Sequence, residues 1–163
     1  IPGLNDAELQ IRDLSLTATG VRYDFDTDGD AEGWTTRGVT DVNNGPLGGR
    51  WQLNVPGSDP ALSSPPILVD AAAYSKVFVA MANDQNPAAG ARMQVFWTTA
   101  QSPAFNEANS AWIDVSNDGT FAPYTVDLSA HPGWTGTITQ IRIDPIEYGD
   151  GHTISIDMIA LAL

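Results

Sequence analysis

The chain contains no cysteine, only seven lysines and arginines, and no apolar run long enough to cross a bilayer. Without cysteine no disulfide can staple the fold, so the 163 residues must bury a core of their own, a length at which one domain can do so. Against the seven basic residues stand twenty Asp and Glu, a formal charge of −13. Nucleic-acid phosphates and anionic lipid headgroups would repel such a surface, so neither nucleic acid nor a membrane is expected as a partner. Divalent cations and neutral or cationic ligands remain. The opening Ile1-Pro2-Gly3-Leu4 has neither the basic nor the apolar region of a secretion signal and is expected to be a processed or internal end. Absence of cysteine suits an extracellular bacterial protein but fixes no compartment.

A helical period is missing too: no segment keeps apolar residues 3.6 apart over three turns, while Gly, Pro, Asn and Asp cut the chain into short runs. Strands are expected at Glu8–Thr17, Val21–Asp26, Trp51–Val55, Lys76–Ala82, Arg92–Thr99, Ala111–Val115, Tyr124–Leu128, Thr137–Asp144 and Thr153–Leu161. Turn clusters such as Asn43-Asn44-Gly45-Pro46 and Asn117-Asp118-Gly119 separate them, at the spacing of an all-β, antiparallel two-sheet sandwich. The stretch 9–16 is similar to 154–161, the last strand. Residues 1–20 are therefore expected to be a linker or the closing strand of a preceding module, and 21–163 the sandwich itself; two amphipathic strands of eight residues can also look alike by chance.

Alternation by two sorts the strands into faces. Met93, Val95 and Trp97 face inward, as do Ile141 with Ile143, Val77 with Val79 and Met81, and Ala111 with Ile113 and Val115. If these strands share one sheet, its outer face combines Phe78, Phe96 and Trp112 with Arg92, Gln94, Gln140 and Arg142. Aromatic rings cover the C–H face of a pyranose and planar amide or guanidinium groups meet hydroxyls, so this face is a candidate sugar site. The competing reading is ordinary: each arginine pairs with a nearby carboxylate, Asp144 or Asp114, and the phenylalanines are covered. Trp97, Trp134, Trp34 and Trp51 are expected to pack in or around the core.

Two acidic features ask for a cation. Asp24 to Glu32 places five carboxylates in nine residues around Gly29, with Asp26, Asp28 and Asp30 alternating as in many calcium loops, and Asp157 stands inside an otherwise apolar strand. If the first and last strands meet, one Ca2+ held by Asp26, Asp28, Asp30 and Asp157 could join them. A solvated acidic turn is the plain alternative. Catalytic patterns are thin: His131 and His152 lack zinc spacing, and no nucleophile elbow, phosphate loop or dinucleotide fingerprint occurs. Two carboxylates such as Glu107 and Glu147 could be named as a glycosidase pair, but nothing in the sequence sets their separation. No catalytic residue and no enzyme activity is expected.

The series Asp24-Phe25-Asp26, Glu32-Gly33-Trp34, Gln94-Val95-Phe96-Trp97, Trp134-Thr135-Gly136, Arg142-Ile143-Asp144-Pro145 and Ile156-Asp157-Met158-Ile159 resembles bacterial carbohydrate-binding modules of the galactose-binding-like jelly-roll type over residues 21–163. The resemblance implies a jelly-roll sandwich, a structural calcium near the first and last strands with Asp26 and Asp157 at matching positions, and a sugar site on the concave face or the loop tips. It also implies an extracellular monomer, covalently linked to catalytic or surface modules, that binds a polysaccharide or oligosaccharide, either an acidic glycan or a neutral glucan. The second expectation is a structural or adhesive spacer of a multimodular protein, with the same sandwich but no sugar site.

Overall fold

The computed structural model describes residues 19–84 and 91–163. The strand expected at Glu8–Thr17, and with it the proposed separate segment at the start of the chain, lies outside the described residues. Twelve strands follow: β1 Thr19–Tyr23, β2 Thr35–Arg37, β3 Thr40–Asp41, β4 Trp51–Val55, β5 Ala61–Ser63, β6 Val69–Asp70, β7 Lys76–Asn83, β8 Arg92–Thr99, β9 Ser110–Asp114, β10 Ala122–Asp127, β11 Thr137–Asp144 and β12 His152–Ala162. One 3₁₀ turn, Glu107–Asn109, precedes β9.

These strands form two antiparallel sheets. One has the order β10-β7-β12-β4-β3 with β1 also on β12, the other β2-β5-β11-β8-β9 with β6 also on β11. The first and last strands do meet: Tyr23 lies opposite Ile159 and Thr19 opposite Ala162. The long β12 pairs with β4 over 152–156 and with β1 from Ile159 onward, so Asp157 falls where the partner changes and beside a bulge against β7.

Strands β4, β8 and β11 match their expected bounds, and the inward sets hold: Val77, Val79, Met81, Met93, Val95, Trp97, Ile141 and Ile143 have no solvent exposure. Ala111 and Ile113 are only half-buried, since β9 is an edge. All four tryptophans assigned to packing are buried, with Trp97 edge-on to Trp134 at 5.2 Å between ring centres and its indole N–H donating to the Gly133 carbonyl at 2.8 Å.

Two expectations fail for identifiable reasons. The first strand stops at Tyr23 instead of Asp26 because Phe25 takes φ 51°, outside any strand, with its N–H held by Glu32 Oε2 at 3.0 Å. Phe78 does not join the candidate face, because β7 belongs to the opposite sheet from β8, β9 and β11. The short β2, β3, β5 and β6 were not expected; two or three residues are too few to show a period.

Candidate functional site

Register brings the candidate residues together on the outer face of the β2-β5-β11-β8-β9 sheet. One row across the strands runs Ser63, Arg142, Phe96, Ser110; the next runs Asp144, Gln94, Trp112. Neighbouring strands are about 4.8 Å apart, so side chains within a row are in reach of one another. Over these rows lies a cavity of about 300 Å³ lined by Gln94, Phe96, Trp112, Arg142 and Asp144, with Glu107, Ser58, Asp59, Pro60, Ile146 and Glu147 from the surrounding loops. A second cavity of about 140 Å³, walled by Thr35, Thr36, Arg37, Ala61, Ser63 and Phe105, meets the first at Arg142.

Of the six residues expected to bind sugar, Gln94, Phe96, Trp112 and Arg142 line the larger cavity. Arg92 acts from its rim: the guanidinium sits 4.6 Å from the Trp112 ring centre and forks onto Glu147 at 2.9 and 3.0 Å. Gln140 lines neither cavity and donates to the Ser64 carbonyl at 2.7 Å. Phe96 is not the open stacking surface expected of it. Its ring is 3% exposed and lies 4.0 Å beneath the Arg142 guanidinium. Trp112, 43% exposed, is the aromatic this cavity offers to solvent.

Charge on this face is largely compensated. Arg142 donates from Nε and Nη2 to the two oxygens of Asp144, both at 2.7 Å, and Arg37 pairs with Asp59 at 2.9 Å. Burial pushes the Asp144 carboxyl above the usual carboxylate range, against the pull of Arg142. Gln94, buried, donates through its amide to Glu107 Oε2 at 2.8 Å and to the Ser110 hydroxyl at 2.9 Å. Both readings of the face therefore find something here: an exposed tryptophan beside polar groups, and arginines in ion pairs.

The loop residues lining the cavity carry no periodic signal. Glu107 and Glu147 were visible only as two carboxylates among twenty, and Asp59 sits at φ 64°, a conformation no sequence period reveals. Phe105, in the loop before the 3₁₀ turn, was missed altogether. The 145–151 loop that brings in Ile146 and Glu147 depends on Gly149, where a Cβ would collide with the Val55 carbonyl.

The acidic segment is a turn held by its own bonds. Gly29 N–H donates to Pro46 O at 2.7 Å, Gly48 N–H to Asp28 Oδ1 at 2.8 Å and Glu32 N–H to Asp30 Oδ1 at 2.8 Å. Gly45, at φ 122°, lets the two loops touch: a Cβ there would stand 2.7 Å from Gly29 Cα. Asp26, Asp28 and Asp30 are exposed, whereas Asp157 is 1% exposed. Among the described residues, no three Asp, Glu or His side chains are grouped to hold a cation, so these four carboxylates do not by themselves supply an oxygen shell.

No protein-family model matches the chain and no curated protein sequence matches it. Solved structures do. The BiXyn10A module CBM1 superposes with a TM-score of 0.58 at 7% identity, covering 90% of this chain and 99% of that one. The K3 adhesin domain of Lys-gingipain from Porphyromonas gingivalis gives 0.55 at 16% identity, with 89% and 99% covered. The xylan-binding module CBM15 gives 0.53 at 15% identity, with 88% and 95% covered. At these identities the likeness is one of architecture, and this chain has the two-sheet β-sandwich fold found in carbohydrate-binding modules.

Proposed function

We propose that the chain is a non-catalytic module that binds a polysaccharide or oligosaccharide on the outer face of the β2-β5-β11-β8-β9 sheet. The observation that supports it most is the 300 Å³ cavity in which exposed Trp112 stands beside Gln94, Arg142 and the carboxylates of Glu107, Asp144 and Glu147. An indole takes the C–H face of a sugar ring, and guanidinium donors and carboxylate acceptors meet its hydroxyls from the sides. Because Arg92 and Arg142 are each already forked onto a carboxylate, a uronate would have to displace that partner, so the pairing favours a neutral glycan over an acidic one. In this reading the protein is an extracellular monomer that holds linked catalytic modules near their substrate and raises its local concentration.

The test is electrophoresis through gels containing xylan, hydroxyethylcellulose or polygalacturonate. Retardation by a neutral polymer that is lost in Trp112→Ala, with the fold intact, is the expected result. Retardation by none of them favours the spacer or adhesive reading, which the buried Phe96 and the paired arginines support. A calcium ion near Asp26 and Asp157 is a separate proposal. It rests on a carboxylate buried at the point where β12 exchanges β4 for β1, with Asp26 three residues beyond the end of β1; backbone carbonyls would have to complete the shell. Bound ion stabilises the native state by mass action, so chelator should lower the melting temperature and calcium restore it. No shift, and no metal by elemental analysis, removes the ion.

A further inference from the structure

Arg142 is the one side chain that lines both cavities, and it is fixed there. Its guanidinium is forked onto Asp144 at 2.7 Å twice, lies 4.0 Å above the Phe96 ring and stands 5.4 Å from that of Phe105. Both members of the pair are largely buried, with side-chain exposures of 16% and 13%. An ion pair this geometrically complete and this sheltered from water does not swing aside easily, since moving either partner strands the other charge.

We infer that the Arg142–Asp144 pair is a bar across the binding face that confines a glycan to the larger cavity, and that Arg142 thereby sets ligand length. The inference rests on the carbohydrate-binding reading above. A chain entering beside Trp112 meets the guanidinium edge before it reaches the smaller cavity, and the aromatic ring that would carry the next sugar, Phe96, is roofed over. The protein therefore reads a short section of glycan. Without the bar the two cavities merge and Phe96 becomes a stacking platform under a longer section.

The experiment is calorimetry with xylo- and cello-oligosaccharide ladders on the wild type, Phe105→Ala and the double variant Arg142→Ala/Asp144→Ala, which removes both charges together. In the wild type affinity should stop rising with length once the larger cavity is filled, and Phe105→Ala, which opens the smaller cavity while the Asp144 fork and the Phe96 ring still hold Arg142, should leave every affinity unchanged. In the double variant the shortest oligosaccharides should weaken, since two polar groups of the larger cavity are gone, while affinity should now go on rising with length, the ratio of longest to shortest increasing about fivefold to tenfold, the contribution of one added aromatic contact. A wild-type affinity that keeps climbing with length, or a loss on Phe105→Ala, overturns the bar while leaving the glycan site standing. Binding of no ladder by any of the proteins overturns the site itself, and the bar with it. Should the double variant fail to fold, the wild-type length profile and Phe105→Ala decide the matter alone.

Discussion

The outer faces of the two sheets are built on the same alternation and put it to opposite use. On the sheet containing β7 and β12 the outward positions include half-buried Lys76, Phe78, Thr153 and Ser155, but at its centre they are Ala80, Ala82, Met158, Ala160 and Ala162, small or flexible apolar residues that are all buried. On the sheet containing β8 and β11 the same positions carry Gln94, Phe96, Arg142 and Asp144, which wall a cavity, with Arg92 at its rim. Alternation tells which side of a strand faces the core. It does not tell which sheet the strand joins, or whether its outward side meets water, and Phe78 shows the consequence: it alternates correctly and stands on the wrong sheet.

The sharpest way to break this comparison is to remove what both faces stand on. Trp97, without solvent exposure, packs between the sheets, and Trp97→Ala should cost about 3–5 kcal/mol in urea unfolding, through the cavity left and the Gly133 carbonyl left without its donor. A loss under about 1 kcal/mol would mean the core closes over the gap. Next in size is the contrast between faces. Trp112→Ala should raise the dissociation constant for a neutral oligosaccharide roughly tenfold or more with little change in stability, whereas Phe78→Ala should leave binding untouched and cost about 1 kcal/mol. Equal effects on binding would erase the distinction drawn here.

The smallest effect concerns acid. Because burial holds the Asp144 carboxyl above its ordinary range, the native state keeps a proton there to higher pH than the unfolded chain does. The stability this site contributes is therefore present at low pH and is lost as pH rises through its folded titration, from about pH 4 upward. Asp144→Asn does not titrate. Plotted against pH, the variant's stability relative to wild type should climb across that window, whatever constant offset the lost ion pair imposes. A slope of the opposite sign in the urea midpoints would mean that Arg142 outweighs burial.

Much of the sandwich was legible because long strands buried on one side must alternate: β4, β8 and β11 could be bounded to the residue. The meeting of first and last strands entered only as a condition for a shared ion, and the pairing of Tyr23 with Ile159 meets that condition without supplying the ion. What stayed hidden was set by contacts across the sequence. Where β1 stops depends on a Glu32 carboxylate seven residues beyond Phe25, and the cavity's loop walls depend on where 56–60, 105–107 and 145–149 are carried by the strands they join. The identity of Arg142 as a candidate could be read from its strand. Its position over Phe96 could not, because nothing in a strand's own period says that two outward residues of neighbouring strands will stack.

Pairing of β1 with β12 also fixes how the sandwich responds to tension. Thr19 faces Ala162, so a pull applied at residue 19 and at Leu163 acts at one end of an antiparallel ladder and perpendicular to it. The hydrogen bonds then take the load one after another, as in a zipper, and none shares it with the next. If a linked enzyme moves along a polymer while this domain stays attached, the first thing to yield is β1, peeling from Thr19 toward Tyr23, while the β8–β11 face proposed to bind sugar lies on the other sheet, outside that ladder.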